Sequence, residues 1–120
     1  MYELKVTQHF AAAHNLREFG GRCENLHGHN WTVKTTVKCE NVDKSGLGID
    51  FKILRQKLKA ILDEFDHKNV NDVFGNLSPS SENIAQYIFR KLTESLKSHN
   101  VKMARVEVQE TPGNCAAYYE

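Results

Sequence analysis

Hydrophobic and polar residues alternate along four stretches of this chain, and a period of two is typical of half-buried β-strands. In the first stretch the apolar positions are Tyr2, Leu4, Val6 and Phe10, with charged and polar residues between them. The four predicted strands cover residues 2–10, 27–39, 102–110 and 115–119. Strands are therefore expected near both ends of the chain.

In the middle of the chain the period changes to that of an α-helix, in two segments separated by a predicted loop over residues 71–76. Asp50 is a candidate N-cap for the first helix, whose apolar residues run over 51–65. Ser78-Pro79 predicts the start of the second helix, which extends to about Ser98. The order ββααββ, joined by short loops, predicts an α+β fold: a four-stranded antiparallel sheet with both helices packed on one face.

Length and composition narrow the function classes. At 120 residues the chain is expected to form one domain, residues 1–120. The 16 basic and 15 acidic residues give a formal charge of +1 without a basic block, so neither nucleic-acid nor membrane binding is expected. Neither a signal peptide nor a membrane-spanning segment is visible. Three cysteines without paired spacing indicate a reducing compartment, and the protein is expected to be cytoplasmic.

The strongest candidate for a functional site is the sequence His27-Gly28-His29, which holds two possible metal ligands. Side chains two residues apart in a strand point to the same face, about 7 Å apart, so that His27 and His29 can bind one metal ion. They share the face of Trp31, at the end of an apolar strand. His14 would complete a set of three histidines with one open position, as in catalytic zinc sites. The alternative is a partly exposed strand whose histidines are only solvated.

Cys23 admits three interpretations. It precedes His27 by four residues in a predicted loop, where it can serve as a proton acceptor or nucleophile activated by a nearby cation. It can instead be a fourth metal ligand, which would make the site structural. The third interpretation is an inert thiol. The loop position favours reactivity over burial.

Two acidic residues add further candidate chemistry. Asp66 can fix the tautomer of His67, which can then move a proton, although a histidine at a helix end is common without such a role. Glu110 falls on the apolar face of Val106 and Val108, where a lone carboxylate is costly. Either the strand ends there, or Glu110 faces a pocket whose ligand offers two adjacent N–H donors to the carboxylate.

With these residues, the chain resembles the 6-pyruvoyl-tetrahydropterin synthase superfamily over nearly its whole length. The matching motifs are Phe10-Ala11-Ala12-Ala13-His14, Cys23-Glu24-Asn25-Leu26-His27-Gly28-His29-Asn30, Gly48-Ile49-Asp50-Phe51, Asp66-His67-Lys68-Asn69-Val70-Asn71, Ser78-Pro79-Ser80-Ser81-Glu82-Asn83 and Val108-Gln109-Glu110-Thr111. One departure is Ser80, where many relatives have threonine. The resemblance implies the tunnelling fold and a Zn²⁺ ion bound by His14, His27 and His29.

The resemblance also implies a role for each remaining candidate. Cys23 would be the proton acceptor, and Asp66 with His67 would form a proton relay. Glu110 would anchor the pterin ring and take part in catalysis. The implied assembly is a homo-oligomer, with trimers stacked as a hexamer and active sites between chains.

The spacing of Cys23 and His27 indicates a subfamily. Three residues separate them, which resembles the bacterial 6-carboxytetrahydropterin synthases of the queuosine (7-deazaguanine) pathway; the biopterin enzymes usually have a longer gap. The implied activity is a lyase that converts 7,8-dihydroneopterin triphosphate to 6-carboxy-5,6,7,8-tetrahydropterin, acetaldehyde and triphosphate. The alternatives are a 6-pyruvoyl-tetrahydropterin synthase and a zinc- or pterin-binding module without turnover. The binding module would leave Cys23, Asp66-His67 and Glu110 without a role.

Overall fold

The strands form one mixed sheet in the computed structural model, which describes residues 1–16 and 25–120. The strands are β1 (Tyr2–His14), β2 (His27–Cys39), β3 (Lys68–Asn69), β4 (Lys102–Thr111) and β5 (Asn114–Tyr118). The helices are α1 (Phe51–Leu62), α2 (Val70–Phe74) and α3 (Ser81–Ser95). The order of strands is β3-β1-β2-β4-β5, and every neighbouring pair is antiparallel except β3 with β1. The predicted α+β fold class is confirmed.

The sheet has five strands where four were expected, and β3 is the addition. Lys68 and Asn69 pair in parallel with Ala12 and Ala13. Two residues are too few to show an alternating pattern, so the sequence offers no period that would predict this strand. The loop predicted over residues 71–76 was also wrong in part, because residues 71–74 belong to the short helix α2.

The two long helices begin at residues whose side chains cap the first turn. Asp50 accepts a hydrogen bond from the Lys52 amide, as expected. The predicted cap of α3 was wrong: Ser80, not Ser78, accepts from the Asn83 amide. The Ser78 carbonyl is bound instead by the Asn83 side chain, which holds the serine outside the helix. No helix within the described ranges is long and apolar enough to cross a membrane.

The hydrophobic core lies between the sheet and the two long helices. Its largest fully buried side chains are Trp31, Phe65, Leu54, Leu58, Ile84, Ile88 and Leu92. The rings of Phe10 and Trp31 stack at a centroid distance of 5.6 Å. A bulge in β4 interrupts the predicted alternation, since Thr36 pairs with Arg105 while its neighbour Val37 pairs with Met103. The inward-facing row of β1, β2 and β4 continues beyond the core and carries the candidate site at its end.

Gly48 lies against the end of β2, and this contact explains why a side chain is excluded there. A Cβ atom at this position would overlap Sγ of Cys39 and lie 3.2 Å from Cδ1 of Leu4. We expect Gly48→Ala to lower the free energy of unfolding by about 1–3 kcal/mol, the usual cost of overpacking. Urea unfolding at fixed protein concentration measures this loss.

The Gly48→Ala/Cys39→Ala double variant is the matched test, because it removes the sulfur that the new methyl group meets. In it the new Cβ would lie 3.7 Å from Cβ of residue 39, an ordinary contact. The double variant should therefore be more stable than the sum of the single effects. Strict additivity would show that the clash with Cys39 is not the cause.

Candidate metal centre

Strand register brings the three predicted histidines to one end of the inward face. His14 is the last residue of β1 and pairs directly with His27, the first residue of β2. Two positions along, Ala12 pairs with His29. Directly paired residues of antiparallel strands point to the same face, as do residues two apart in one strand. The three imidazoles therefore meet beside Trp31, with ring centroids 4.5 to 5.5 Å apart.

Glu110, near the end of β4, joins the histidines. Its Oε1 atom lies 2.8 Å from Nε2 of His14, 3.0 Å from Nε2 of His29 and 3.8 Å from Nε2 of His27. One ligand atom from each of the four residues lies within 4.8 Å of all the others. With metal–ligand bonds of 2.0–2.1 Å, tetrahedral zinc ligands lie about 3.3 Å apart, so the group has the dimensions of a metal centre.

In His14 and His27 the Nδ1 atom forms the hydrogen bond to the protein, which leaves Nε2 available to bind a metal ion. Nδ1 of His14 donates to the Pro79 carbonyl at 2.8 Å, and Nδ1 of His27 donates to the Asn25 carbonyl at 2.7 Å. In the neutral rings, each Nε2 then carries a lone pair directed toward the Glu110 carboxylate. A metal ion bound among the Nε2 atoms would accept these lone pairs. Such outer hydrogen bonds to carbonyls are how proteins orient metal-binding histidines.

Burial favours the neutral, metal-binding form of His29. His14 is only 2% exposed, while His29 and His27 are 20% and 30% exposed. Burial lowers the pKa of His29; the nearby Glu110 carboxylate acts in the opposite direction. A histidine that resists protonation competes for metal at lower pH, since only the unprotonated nitrogen can bind. The residues present therefore fit a metal ion.

Asp66 and His67 lie at the edge of the sheet and not in this group. The His67 imidazole is 82% exposed, and its Nδ1 lies 3.1 Å from the Asp66 carboxylate. Asp66 also accepts from the Ala11 amide at 2.9 Å, and this hydrogen bond is the main reason that its pKa is lowered. The His67 backbone has φ of 60°, a region that non-glycine residues seldom adopt, and its amide donates to the Ala11 carbonyl. The carboxylate–imidazole pair exists, but it faces solvent.

The remaining candidate, Cys23, lies outside the described residues. The contact of Glu110 with the histidines was not predicted from the sequence. Extending the pairing of Gln109 with Thr32 by one residue places Glu110 opposite Trp31, on the histidines' face. That register was the missing signal. An open cavity adjoins Glu110 and is also lined by Ser81, Glu82 and Asn114.

Comparison with known protein families shows which family has this sequence. The family model described as 6-pyruvoyl tetrahydropterin synthase matches residues 3–120. The chain belongs to this family. A 6-carboxy-5,6,7,8-tetrahydropterin synthase of Synechocystis is 35% identical, over 92% of this chain and 87% of the relative. A putative 6-pyruvoyl tetrahydrobiopterin synthase of Caenorhabditis elegans is 33% identical, over 91% of this chain and 88% of the relative.

The fold of the family is also shared. The solved structure of Caenorhabditis elegans 6-pyruvoyl tetrahydropterin synthase superposes with a TM-score of 0.86 at 29% identity, covering 99% of this chain and 95% of the other. The tunnelling fold expected from the sequence is consistent with this match. Because relatives named for two different products match this chain about equally well, membership of the 6-pyruvoyl tetrahydropterin synthase family does not by itself select the reaction.

Proposed function

We propose that the chain is a zinc-dependent carbon–carbon lyase that converts 7,8-dihydroneopterin triphosphate and one water molecule to 6-carboxy-5,6,7,8-tetrahydropterin, acetaldehyde and triphosphate, in the cytoplasmic queuosine pathway. The observation that carries the proposal is the convergence of His14, His27, His29 and Glu110 on one point at the end of an otherwise apolar face. The short gap between Cys23 and His27 favours the 6-carboxy product over the 6-pyruvoyl product.

Each residue has a defined task in this proposal. His14, His27 and His29 would hold Zn²⁺, which when bound lowers the pKa of coordinated hydroxyl groups. Glu110 borders the open cavity and can accept two hydrogen bonds from the 2-amino and N3–H groups of a pterin. Cys23 would take up a proton, and Asp66 would hold His67 in the orientation that donates or accepts one.

The decisive experiment is product analysis. Zinc-loaded protein is incubated with 7,8-dihydroneopterin triphosphate, and the products are identified by mass. We expect 6-carboxytetrahydropterin and acetaldehyde in equal amounts. Accumulation of 6-pyruvoyl-tetrahydropterin without acetaldehyde would establish the second candidate, which the Caenorhabditis elegans relative supports. A protein that retains zinc and converts no dihydropterin would favour a binding module.

Glu110 lies close enough to the histidines to act on the metal as well as on the pterin, and Glu110→Gln separates the two roles. An amide in place of the carboxylate presents an N–H group to a pterin donor, at a cost of about 1–3 kcal/mol. We therefore expect pterin binding to weaken by about 5- to 150-fold while zinc content stays unchanged. Calorimetric titration with a pterin and metal analysis of the same sample test both. Loss of zinc from this variant would instead make Glu110 a metal ligand.

The exposed position of His67 supports an assembly in which active sites form between chains. The imidazole is 82% exposed at a sheet edge where β3 covers only the last part of β1. Most of β1 and all of β5 are left with an unpaired edge in the single chain, and native sheets seldom leave such edges open. We propose edge-to-edge pairing into trimers that stack as a hexamer, placing His67 of one copy near the histidines of another.

Mixed assemblies test this arrangement. His27→Ala and His67→Ala chains are each expected to be inactive alone. When the two are unfolded together and refolded, some sites will combine an intact histidine group with an intact His67, and activity should return to roughly a quarter of wild type for random mixing of two halves. The control is the same mixture of separately refolded proteins, which should remain inactive. An active monomer, or no recovery in verified mixed oligomers, would contradict sites shared between chains.

A further inference from the structure

The amide side chain of Asn71 is buried, and both its oxygen and its nitrogen form hydrogen bonds with the backbone of Asn15. Asn71 is 7% exposed in the first turn of α2. The Asn15 amide donates to its Oδ1 at 2.8 Å, and its Nδ2 donates to the Asn15 carbonyl at 3.0 Å. The two hydrogen bonds join segments that are 56 residues apart in the sequence. A buried amide whose donor and acceptor are both used fixes the backbone that it binds.

The fixed residue adjoins the most buried histidine of the metal centre. His14 is the last residue of β1, so the ladder of sheet hydrogen bonds ends with it. Asn15 is the next residue, and the amide of Asn71 continues the attachment by one position beyond the sheet. The direction in which the His14 side chain leaves the backbone is therefore set on one side by β2 and on the other by Asn71.

The ring of His14 is held separately, through its Nδ1 hydrogen bond to the Pro79 carbonyl. A ring fixed at Nδ1 and a backbone fixed at Asn15 together determine where Nε2 points. That atom lies 2.8 Å from Oε1 of Glu110, at the centre of the four-residue group. Releasing the backbone would let the ring pivot about its remaining hydrogen bond and displace Nε2 from this centre.

We propose that Asn71 is a positioning residue for the metal centre, acting through His14; this inference depends on the metal site proposed above. The side chain touches neither the other histidines nor Glu110 by any hydrogen bond recorded for the described residues. Its effect should accordingly reach the metal by way of His14 alone. That restriction distinguishes a positioning role from a general contribution to stability.

The variants follow from the two hydrogen bonds. Asn71→Leu keeps the number of side-chain heavy atoms and the branching at Cγ and removes both bonds, while Asn71→Asp keeps the acceptor for the Asn15 amide. Asn100→Leu is the matched control, since Asn100 also donates from its amide to a distant carbonyl, that of Asn41, at the far end of the sheet. For proteins shown to be folded by circular dichroism, we expect the Zn²⁺ dissociation constant to rise about tenfold for Asn71→Leu. It should rise less for Asn71→Asp and not at all for Asn100→Leu.

Two backgrounds show whether the effect passes through His14. Asn71→Leu should weaken zinc binding further in a His29→Ala protein, where His14 remains, but not in a His14→Ala protein. In the metal-free wild type, the buried His14 ring N–H should give an NMR signal protected from exchange, and Asn71→Leu should broaden or shift it. Equal zinc affinity of wild type and Asn71→Leu, or an equal loss in both backgrounds, would overturn the proposal. Failure of the wild type to bind zinc would instead refute the metal site, and the NMR measurement would still test the link between Asn71 and His14.

Discussion

His27→Ala is expected to lose bound zinc and turnover together. Removing an outer-shell partner of a metal ligand typically costs 10–100-fold in affinity, so removing the ligand itself should cost more than about 100-fold. His27 is the most informative of the three histidines because it is 30% exposed. Its truncation leaves little buried space, whereas His14→Ala would open a cavity against Trp31, to which the His14 ring packs at 4.9 Å.

The control is His9→Ala. His9 is exposed on β1 and hydrogen-bonds Thr32, on the opposite face of the same two strands. Metal analysis after dialysis against a weak chelator and activity measured on the same samples should show both properties retained in His9→Ala and both lost in His27→Ala. Full zinc occupancy of His27→Ala and His29→Ala would disprove the ligand assignment.

The sequence predicts the fold well wherever a hydrophobic period runs long enough to be read. The alternation over β1 and β2 identifies which residues face the core, including the placement of His27 and His29 beside Trp31. The helical period of α1 and its N-cap Asp50 are also predicted from the sequence. Strand β3 is not predicted, because two residues are too few to show a period. The strand forms by pairing with Ala12 and Ala13, which lie more than fifty positions away in the sequence.

For the candidate site, local spacing predicts only part of the arrangement. His27 and His29 follow from the two-residue period, but the place of His14 depends on the register of β1 against β2. Glu110 stands out in the sequence as a carboxylate on an apolar face, where the cost of burial predicts either a strand end or a bound ligand; its contact with the histidines was not predicted. The identity of these partners does not follow from the sequence around Glu110, since the nearest nitrogens belong to two other strands. The exposure of His67 likewise depends on how β3 joins the sheet.

Cys23→Ala is expected to keep its zinc and its fold while turnover falls by about 100-fold or more, the usual scale for loss of an acid–base group. The reason is that His14, His27 and His29 would hold the zinc through three nitrogens and leave the fourth position to water or substrate, so that no thiolate is needed. The measurements are zinc content, thermal unfolding and steady-state turnover of the same preparation. Cys39→Ala is the matched control, since this buried cysteine lies at the opposite end of β2.

The pattern of losses distinguishes the three interpretations of the thiol. A proton acceptor predicts that Cys23→Ala resembles His67→Ala, with kcat lowered and zinc retained, because both side chains would act on the substrate and not on the metal. A metal ligand predicts that it resembles His27→Ala, with zinc and turnover lost together. An inert thiol predicts wild-type turnover. Because the three histidines would hold the zinc without Cys23, we expect the first pattern, and loss of zinc from Cys23→Ala would show that the thiolate is a fourth metal ligand.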